Sequence, residues 1–284
     1  MSFYNEKELG PIKNVLHDEY ESFKDTPIYQ ILPLKYAISI LQNKKLRFGN
    51  IWDHWEDPYE LFMYKQNVYI NGLNLNGLLK RLGRFSFGQC WSINKDTDAM
   101  WRIYSPDKKS VQIKTTFGKM MKVMNQIRKM TIIQNRHVLY TFIPYFGRVI
   151  YKSQSEIEQS IKEAFSLNDF EYWGLCGDSL FVKRKEFEHE NEVRFIITKS
   201  DWNAGLEDIG EQEDSIFMDI EPSDFIEEIR IDPRANDVLY NQITESINAI
   251  IPGLLITKSQ LYAFNRNTIN LADTPVRINV KQVQ

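Results

Sequence analysis

From Glu186 to Thr198 the chain reads Glu-Phe-Glu-His-Glu-Asn-Glu-Val-Arg-Phe-Ile-Ile-Thr, with a charged residue at almost every second position. Side chains of an extended strand alternate between its two faces. Glu188, Glu190, Glu192 and Arg194 therefore fall on one side, with His189, Asn191, Val193 and Phe195 on the other. Crowded carboxylates raise the free energy of ionising all of them. At least one should hold its proton to higher pH unless Arg194 or a ligand offsets the repulsion. The row is either part of a site or a solvated edge strand whose charges discourage sheet-to-sheet pairing.

Other chemistry is thinner. Asp57 and Glu60, with His54 close by, invite a metal reading, but Asp-Pro is a common turn start and no metal is expected. His17, His54, His137 and His189 are scattered, and Cys90 and Cys176 have no partner at metal-ligand spacing. The chain carries no Gly-x-x-x-x-Gly-Lys, Gly-x-Gly-x-x-Gly, Gly-x-Ser-x-Gly or His-Glu-x-x-His motif.

The elements that must hold these residues can be read in outline. With 284 residues, 43% hydrophobic and 13% aromatic, the chain can bury a substantial core, and a net charge of -3 attracts it globally to neither nucleic acid nor membrane. Two cysteines, no signal-peptide pattern and no long apolar run fit a cytoplasmic protein without a membrane span. Residues 28–32 predict a strand, followed by Pro33 in the first turn of a helix with Leu34, Ile38 and Leu41 on one stripe, then a strand over 45–49. An Asn/Gly-rich turn at 71–77 leads to a helix bearing Lys80, Arg81 and Arg84. A strand over 85–92, a helical turn over 96–104 and a strand over 111–115 follow.

Phe117, Met120, Met121, Met124 and Ile127 share a helix face suited to core filling. Two strand-like runs flank Pro144 and Gly147, and Ser153-Gln-Ser-Glu156 has the form of a capping box opening a helix with Ile157, Ile161 and Phe165. Residues 180–198 supply strand material and 207–214 an acidic surface excursion. A strand over 225–231, a helix with Leu239, Ile243 and Ile247, and a strand over 254–257 complete the pattern. With no repeats and no linker, residues 1–284 read as one α+β domain of mixed or antiparallel sheets with peripheral helices.

Four blocks together resemble a bacterial domain family of unknown function. Trp55-Glu-Asp-Pro-Tyr-Glu60 is similar to its Asn-Asp-Pro-Phe-Glu block, with Glu56 and Tyr59 as departures. Cys90-Trp-Ser92 and Met100-Trp-Arg-Ile-Tyr104 resemble its Cys-Phe-Ser and Met-Trp-x-x-Tyr pair. Lys185 to Arg194 resembles its Glu-x-Glu-x-Arg block, with His189 in place of an aromatic residue. Ile231-Asp-Pro-Arg234 and Ser259-Gln-Leu-Tyr262 resemble its C-terminal region, so the likeness spans about residues 28–264. More distantly, the opening Ile28-Tyr-Gln-Ile, the aromatic-Ser strand and the late Glu-x-Glu strand resemble, in chain order, the ADP-ribosyltransferase superfamily with its toxins. Gln30 stands where those enzymes place His or Arg, with Arg47 on the next strand as a substitute.

The superfamily resemblance implies an ADP-ribosyltransferase-like core and NAD as substrate. Breaking the nicotinamide–ribose bond builds positive charge on the ribose, which a fixed carboxylate stabilises where it appears. Glu192 would hold the ribose, and Glu190 would orient or deprotonate the acceptor, though the two roles are exchangeable. Arg194 would position an acid or contact phosphate. Tyr29, Trp101 or Tyr104 would wall the nicotinamide or simply fill the core, and Ser92 would bond ribose or cap the turn after its strand. Asp57 and Glu60 are further candidates by family association.

Lys80, Arg81, Arg84, Lys108, Lys109, Lys119, Lys122, Arg128, Lys129 and Arg136 either converge beside the acidic strand, making RNA or single-stranded DNA the acceptor, or are an ordinary solvated helix face. The superfamily also implies a toxin with an antitoxin partner, or an anti-phage role. A non-catalytic recognition module and a hydrolase of NAD or nucleic acid are the rival readings.

Overall fold

The chain is described by a computed structural model covering residues 23–70, 72–127, 132–134, 137–164, 175–201 and 213–264. Strand β1 (Pro27–Pro33) enters helix α1 (Leu34–Asn43) and returns as β2 (Lys45–Asn50). Pro33 serves as the residue capping α1 rather than lying inside its first turn, and Lys44 ends the helix in a left-handed conformation. A short helix α2 (Ile51–His54) and a small hairpin, β3 (Tyr69–Ile70) and β4 (Leu73–Asn74), lead to α3 (Asn76–Arg84). Next come β5 (Ser86–Ser92), α4 (Asp98–Tyr104), β6 (Ser110–Thr116) and α5 (Phe117–Ile127).

The second half runs β7 (Ile132–Gln134), β8 (His137–Arg148), β9 (Ile150–Lys152), α6 (Gln154–Glu163), β10 (Val182–Arg184) and β11 (Glu192–Asp201). It closes with β12 (Ser215–Asp219), α7 (Pro222–Phe225), β13 (Glu228–Ile231), α8 (Asp237–Asn248) and β14 (Ile256–Lys258). The architecture is α+β. Among the described residues, ten strands form one mixed sheet with the main order β14-β13-β6-β1-β5-β11-β8-β7, and β12 adds to β2, which joins β5. Only the β13–β14 pair in that sheet is parallel.

Two apolar layers sandwich the sheet because strand residues alternate. On β11, Val193, Phe195 and Ile197 join α1, α5 and α8 in the larger core, where the Met120, Met121 and Met124 stripe is buried as core filling. Ile196 points the other way, into a smaller cluster with Ile51, Leu79, Ile157, Leu180 and Phe181. The capping box at Ser153 and Glu156 is formed, while Phe165 and most of the 207–214 excursion lie outside the described residues.

Three sequence expectations need correction. Pro144 and Gly147 do not divide two runs, since β8 passes unbroken through both. Proline is tolerated there because β7 reaches only as far as Tyr140, leaving that side of β8 without a neighbour among the described strands. The strand expected over 225–231 begins only at Glu228, because Pro222 opens α7 just before it. Glu186 to Glu190 is not extended: Lys185–Glu190 is a 3-10 turn, and β11 starts at Glu192. Asn191 makes the junction at φ 44, a left-handed conformation that asparagine tolerates better than most residues.

Candidate active site

The cleft forms where the sheet divides. β5 accepts β1 only at Tyr29↔Ser92, near one end, and β2 only at Gly49↔Gly88 and Asn50↔Phe87, near the other. Between them, among the described residues, the β5 backbone lacks a strand partner on that edge. Two side-chain amides patch the gap: Gln30 Nε2 donates to the Cys90 carbonyl at 3.0 Å, and Gln89 Nε2 donates to the Arg47 carbonyl at 2.6 Å. A cleft of about 540 Å³ opens over this divide, bordered by Tyr29, Tyr36, Tyr104, Trp55 and Phe217 and reaching Ser92, Glu190 and Glu192.

The 3-10 turn and the left-handed Asn191 bring Glu190 and Glu192 together although they do not belong to one strand. Both are almost fully buried, whereas Glu188 is exposed and takes no part. Lys183 Nζ makes a short ion pair with Glu190 Oε2 and reaches Glu192 Oε1 at 3.1 Å. Arg194 lies behind them with no exposed side-chain surface. Its Nε donates to Glu192 Oε2 at 2.8 Å, one terminal nitrogen donates to the Leu180 carbonyl at 2.8 Å, and the other pairs with Glu60 Oε1. The Trp55 ring, 4.0 Å from the guanidinium carbon, covers it. Tyr151 Oη accepts the Glu192 amide N–H at 2.8 Å, and Tyr104 Oη donates to Glu190 Oε1 at 2.8 Å.

Three carboxylates thus face two cations in a desolvated place. The cluster either keeps a proton or carries net negative charge. Burial, reinforced by Glu192, raises the Glu190 carboxyl above its ordinary range, and burial likewise raises Glu60. Burial also acts against the charge on Glu192, but Arg194 and Lys183 outweigh it and hold that carboxyl well below the usual value. Lys183 stays firmly protonated, since Glu192 and Glu190 overcome the burial that would lower it. The surroundings therefore favour the ionised form at Glu192 and the protonated form at Glu190.

The other sequence candidates divide. Tyr29, Gln30, Arg47, Ser92 and Tyr104 all border the cleft. Ser92 Oγ donates to the Glu190 carbonyl at 2.7 Å and accepts from the Asn94 N–H at 3.0 Å, so it does cap the turn after its strand while pinning the acidic turn. Trp101 is a correction: it is completely buried, bonds Asp96 through its indole N–H and borders no part of the cleft. Arg194 takes the first of its two expected roles: its guanidinium, with no exposed surface and outside the cleft lining, holds Glu192 and Glu60 in place. Glu60 belongs to that buried cluster, whereas Asp57 pairs with Arg184 at 2.9 Å and lies outside the cleft lining. Of the two readings of the basic residues, the cleft lining speaks against convergence beside the acids. Lys80, Arg81, Arg84, Lys108, Lys109, Lys119 and Lys122 do not line the cleft, and Arg128, Lys129 and Arg136 lie outside the described residues.

Sequence reasoning passed over Lys183, Tyr151 and Trp55. The signal for Lys183 was present: a lysine directly after Leu180-Phe-Val requires an acidic partner if the run is buried. Tyr151 and Lys183 are opposed in the parallel β9–β10 pair, a long-range register that no local pattern announces.

A family model described as a protein of unknown function (DUF2971) matches residues 100–195. No curated protein matches the chain. Among solved structures, Thermus sp. 2.9 DarT in complex with NAD+ is similar at 12% identity and TM-score 0.32, over 84% of this chain and 96% of that one. DarT from the same source in complex with ADP-ribosylated ssDNA is similar at 11% identity and TM-score 0.35, over 83% and 95%. None of the helices among the described residues is long and apolar enough to cross a membrane.

Proposed function

We propose that the protein is an NAD-dependent mono-ADP-ribosyltransferase acting in the cytoplasm. The observation that carries this reading is that Glu190 and Glu192 share one cleft with Tyr29, Ser92 and Tyr104, and their surroundings drive the two carboxyls apart in acidity. Glycosidic chemistry uses that division, with one fixed negative charge and one proton-exchanging group. A cleft of about 540 Å³ is of the size that holds a nucleotide-like ligand.

As the nicotinamide–ribose bond breaks, the electron pair leaves with nicotinamide and positive charge gathers on the ribose. Glu192, ionised and held by Arg194, stabilises that charge as it develops and anchors a ribose hydroxyl. Glu190 takes the proton of the acceptor nucleophile as the new bond to ribose forms. Tyr29 and Tyr104 wall the nicotinamide, and Arg47 at the mouth meets the phosphates.

The acceptor in this reading is nucleic acid, RNA ahead of single-stranded DNA and protein. Tyr36 and Phe217, each about half exposed on the cleft border beside Lys45 and Arg47, supply faces on which bases stack. A toxin role with a neutralising antitoxin, or one in anti-phage defence, follows from the motif resemblance.

The test is incubation of purified protein with NAD labelled in the adenylate portion and, in turn, RNA, single-stranded DNA and cell protein. Label transfer that vanishes in Glu192→Gln supports the proposal. Nicotinamide release without transfer reassigns the protein as an NAD hydrolase, and absence of NAD turnover with every acceptor reassigns it as a binding module. Growth arrest on induction, absent in Glu192→Gln, tests the toxin role.

A further inference from the structure

At the mouth of the cleft, away from the buried acids, three side chains meet. Arg47 projects from the exposed face of β2, and His54 folds back over the same strand from α2. Between them is Gly49, whose missing side chain leaves room. A Cβ there would lie 3.2 Å from the His54 ring and 3.6 Å from an Arg47 terminal nitrogen. Asp214 then closes the group. One carboxylate oxygen sits 2.6 Å from the Arg47 guanidinium and the other 3.0 Å from His54 Nε2, while Arg47 and His54 are themselves 3.1 Å apart.

That carboxylate is held as an anionic group of a ligand would be held. Its two oxygens bridge one terminal nitrogen of the Arg47 guanidinium and the His54 Nε2, next to the β2 backbone that Asp214 itself bonds through Asn50. The arrangement is also solvent-exposed, with side-chain accessibilities of 44% for Arg47, 45% for His54 and 69% for Asp214. An exposed ion pair of this type contributes little to folding and exchanges readily for a better anion. Arg47, Gly49 and His54 all border the cleft that Glu190 and Glu192 reach, whereas Asp214 does not.

We infer that Arg47, His54 and the bare Gly49 backbone form a diphosphate-binding subsite, and that Asp214 occupies it as an internal stand-in that the diphosphate of the incoming dinucleotide displaces. The inference rests on the proposed NAD chemistry for its ligand, but the anion site itself stands on geometry. One consequence runs against the usual effect of altering a residue at a binding site: removing Asp214 improves binding.

Isothermal titration calorimetry with two probes, ADP-ribose and inorganic pyrophosphate, tests this on the full chain. Asp214→Asn is expected to tighten both by about three- to tenfold, and Arg47→Gln to weaken both by about tenfold. Gly49→Val, which fills the space beside His54, is expected to weaken both as well. Thermal unfolding of each variant separates loss of fold from loss of binding, and Arg47→Lys serves as a second, milder probe that keeps the charge but not the fork. Pyrophosphate that tightens in Asp214→Asn while ADP-ribose does not bind upholds the anion site and removes the NAD reading. ADP-ribose that binds folded wild type, Asp214→Asn and Arg47→Gln alike leaves the NAD reading standing and overturns the subsite.

Discussion

The cleft is bordered by two ion clusters of opposite design. Lys183, Glu190, Glu192, Arg194 and Glu60 are nearly or wholly removed from solvent, while Arg47, His54 and Asp214 stand in it. Taking a charge out of water costs several kcal/mol even after relaxation, so the inner cluster persists only because each cation meets two or more carboxylate or carbonyl oxygens. The outer cluster faces no such demand. Desolvation makes the first fixed and able to shift acidities, and its absence leaves the second free to trade partners.

The largest expected effect comes from breaking the inner cluster. Arg194→Met strands Glu192 and Glu60 without their guanidinium and should destabilise the fold by about 3–5 kcal/mol in urea denaturation. Substitution without loss of stability would mean that the buried charges are not a connected unit. Next is Glu192→Gln, which keeps shape but removes the fixed negative charge. A fall in NAD turnover of about a hundredfold or more is expected in protein that stays folded, with the melting temperature lowered because Arg194 and Lys183 lose an anionic partner.

Tyr104→Phe removes one hydrogen bond and should lower kcat/KM about tenfold. Because the phenol donates to the Glu190 carboxylate, it favours the ionised form, so its loss raises a pKa that burial has already raised. Turnover needs Glu190 deprotonated, and the rising limb of the pH–rate profile should therefore move to higher pH; a shift to lower pH contradicts Glu190 as the base. The smallest effect sharpens the contrast. Arg47→Gln, at the exposed cluster, should change stability by no more than about 0.5 kcal/mol. A loss comparable with that of Arg194→Met would erase the distinction between the two regions.

Local pattern made much of this legible. Period-two alternation placed Glu192 and Arg194 on the face opposite Val193 and Phe195, and β11 keeps that division: Val193 and Phe195 lie in the main core, and Arg194 bonds to Glu192 and Glu60. The Met stripe of α5 and the capping box of α6 were readable for the same reason, since each depends on residues one or two turns apart. Alternation failed at Glu188, because it presumes an extended backbone and the 3-10 turn ends only at Glu190.

What the sequence determined alone was the stock of charges and their local phase: an acid-rich run ending in Arg194, aromatic residues at 29, 55 and 104, and helices and strands with defined apolar faces. Tertiary structure decided which cation meets which acid, that Trp101 and Arg194 are sealed away from the cleft, and that β1 and β2 part along β5 to open it. The physical reason is range. Side-chain phase follows from the geometry of neighbouring residues, whereas the acidities of Glu190 and Glu192 depend on burial and on how Arg194 and Lys183 are shared among the carboxylates, which segments as distant as those of Glu60 and Tyr104 complete.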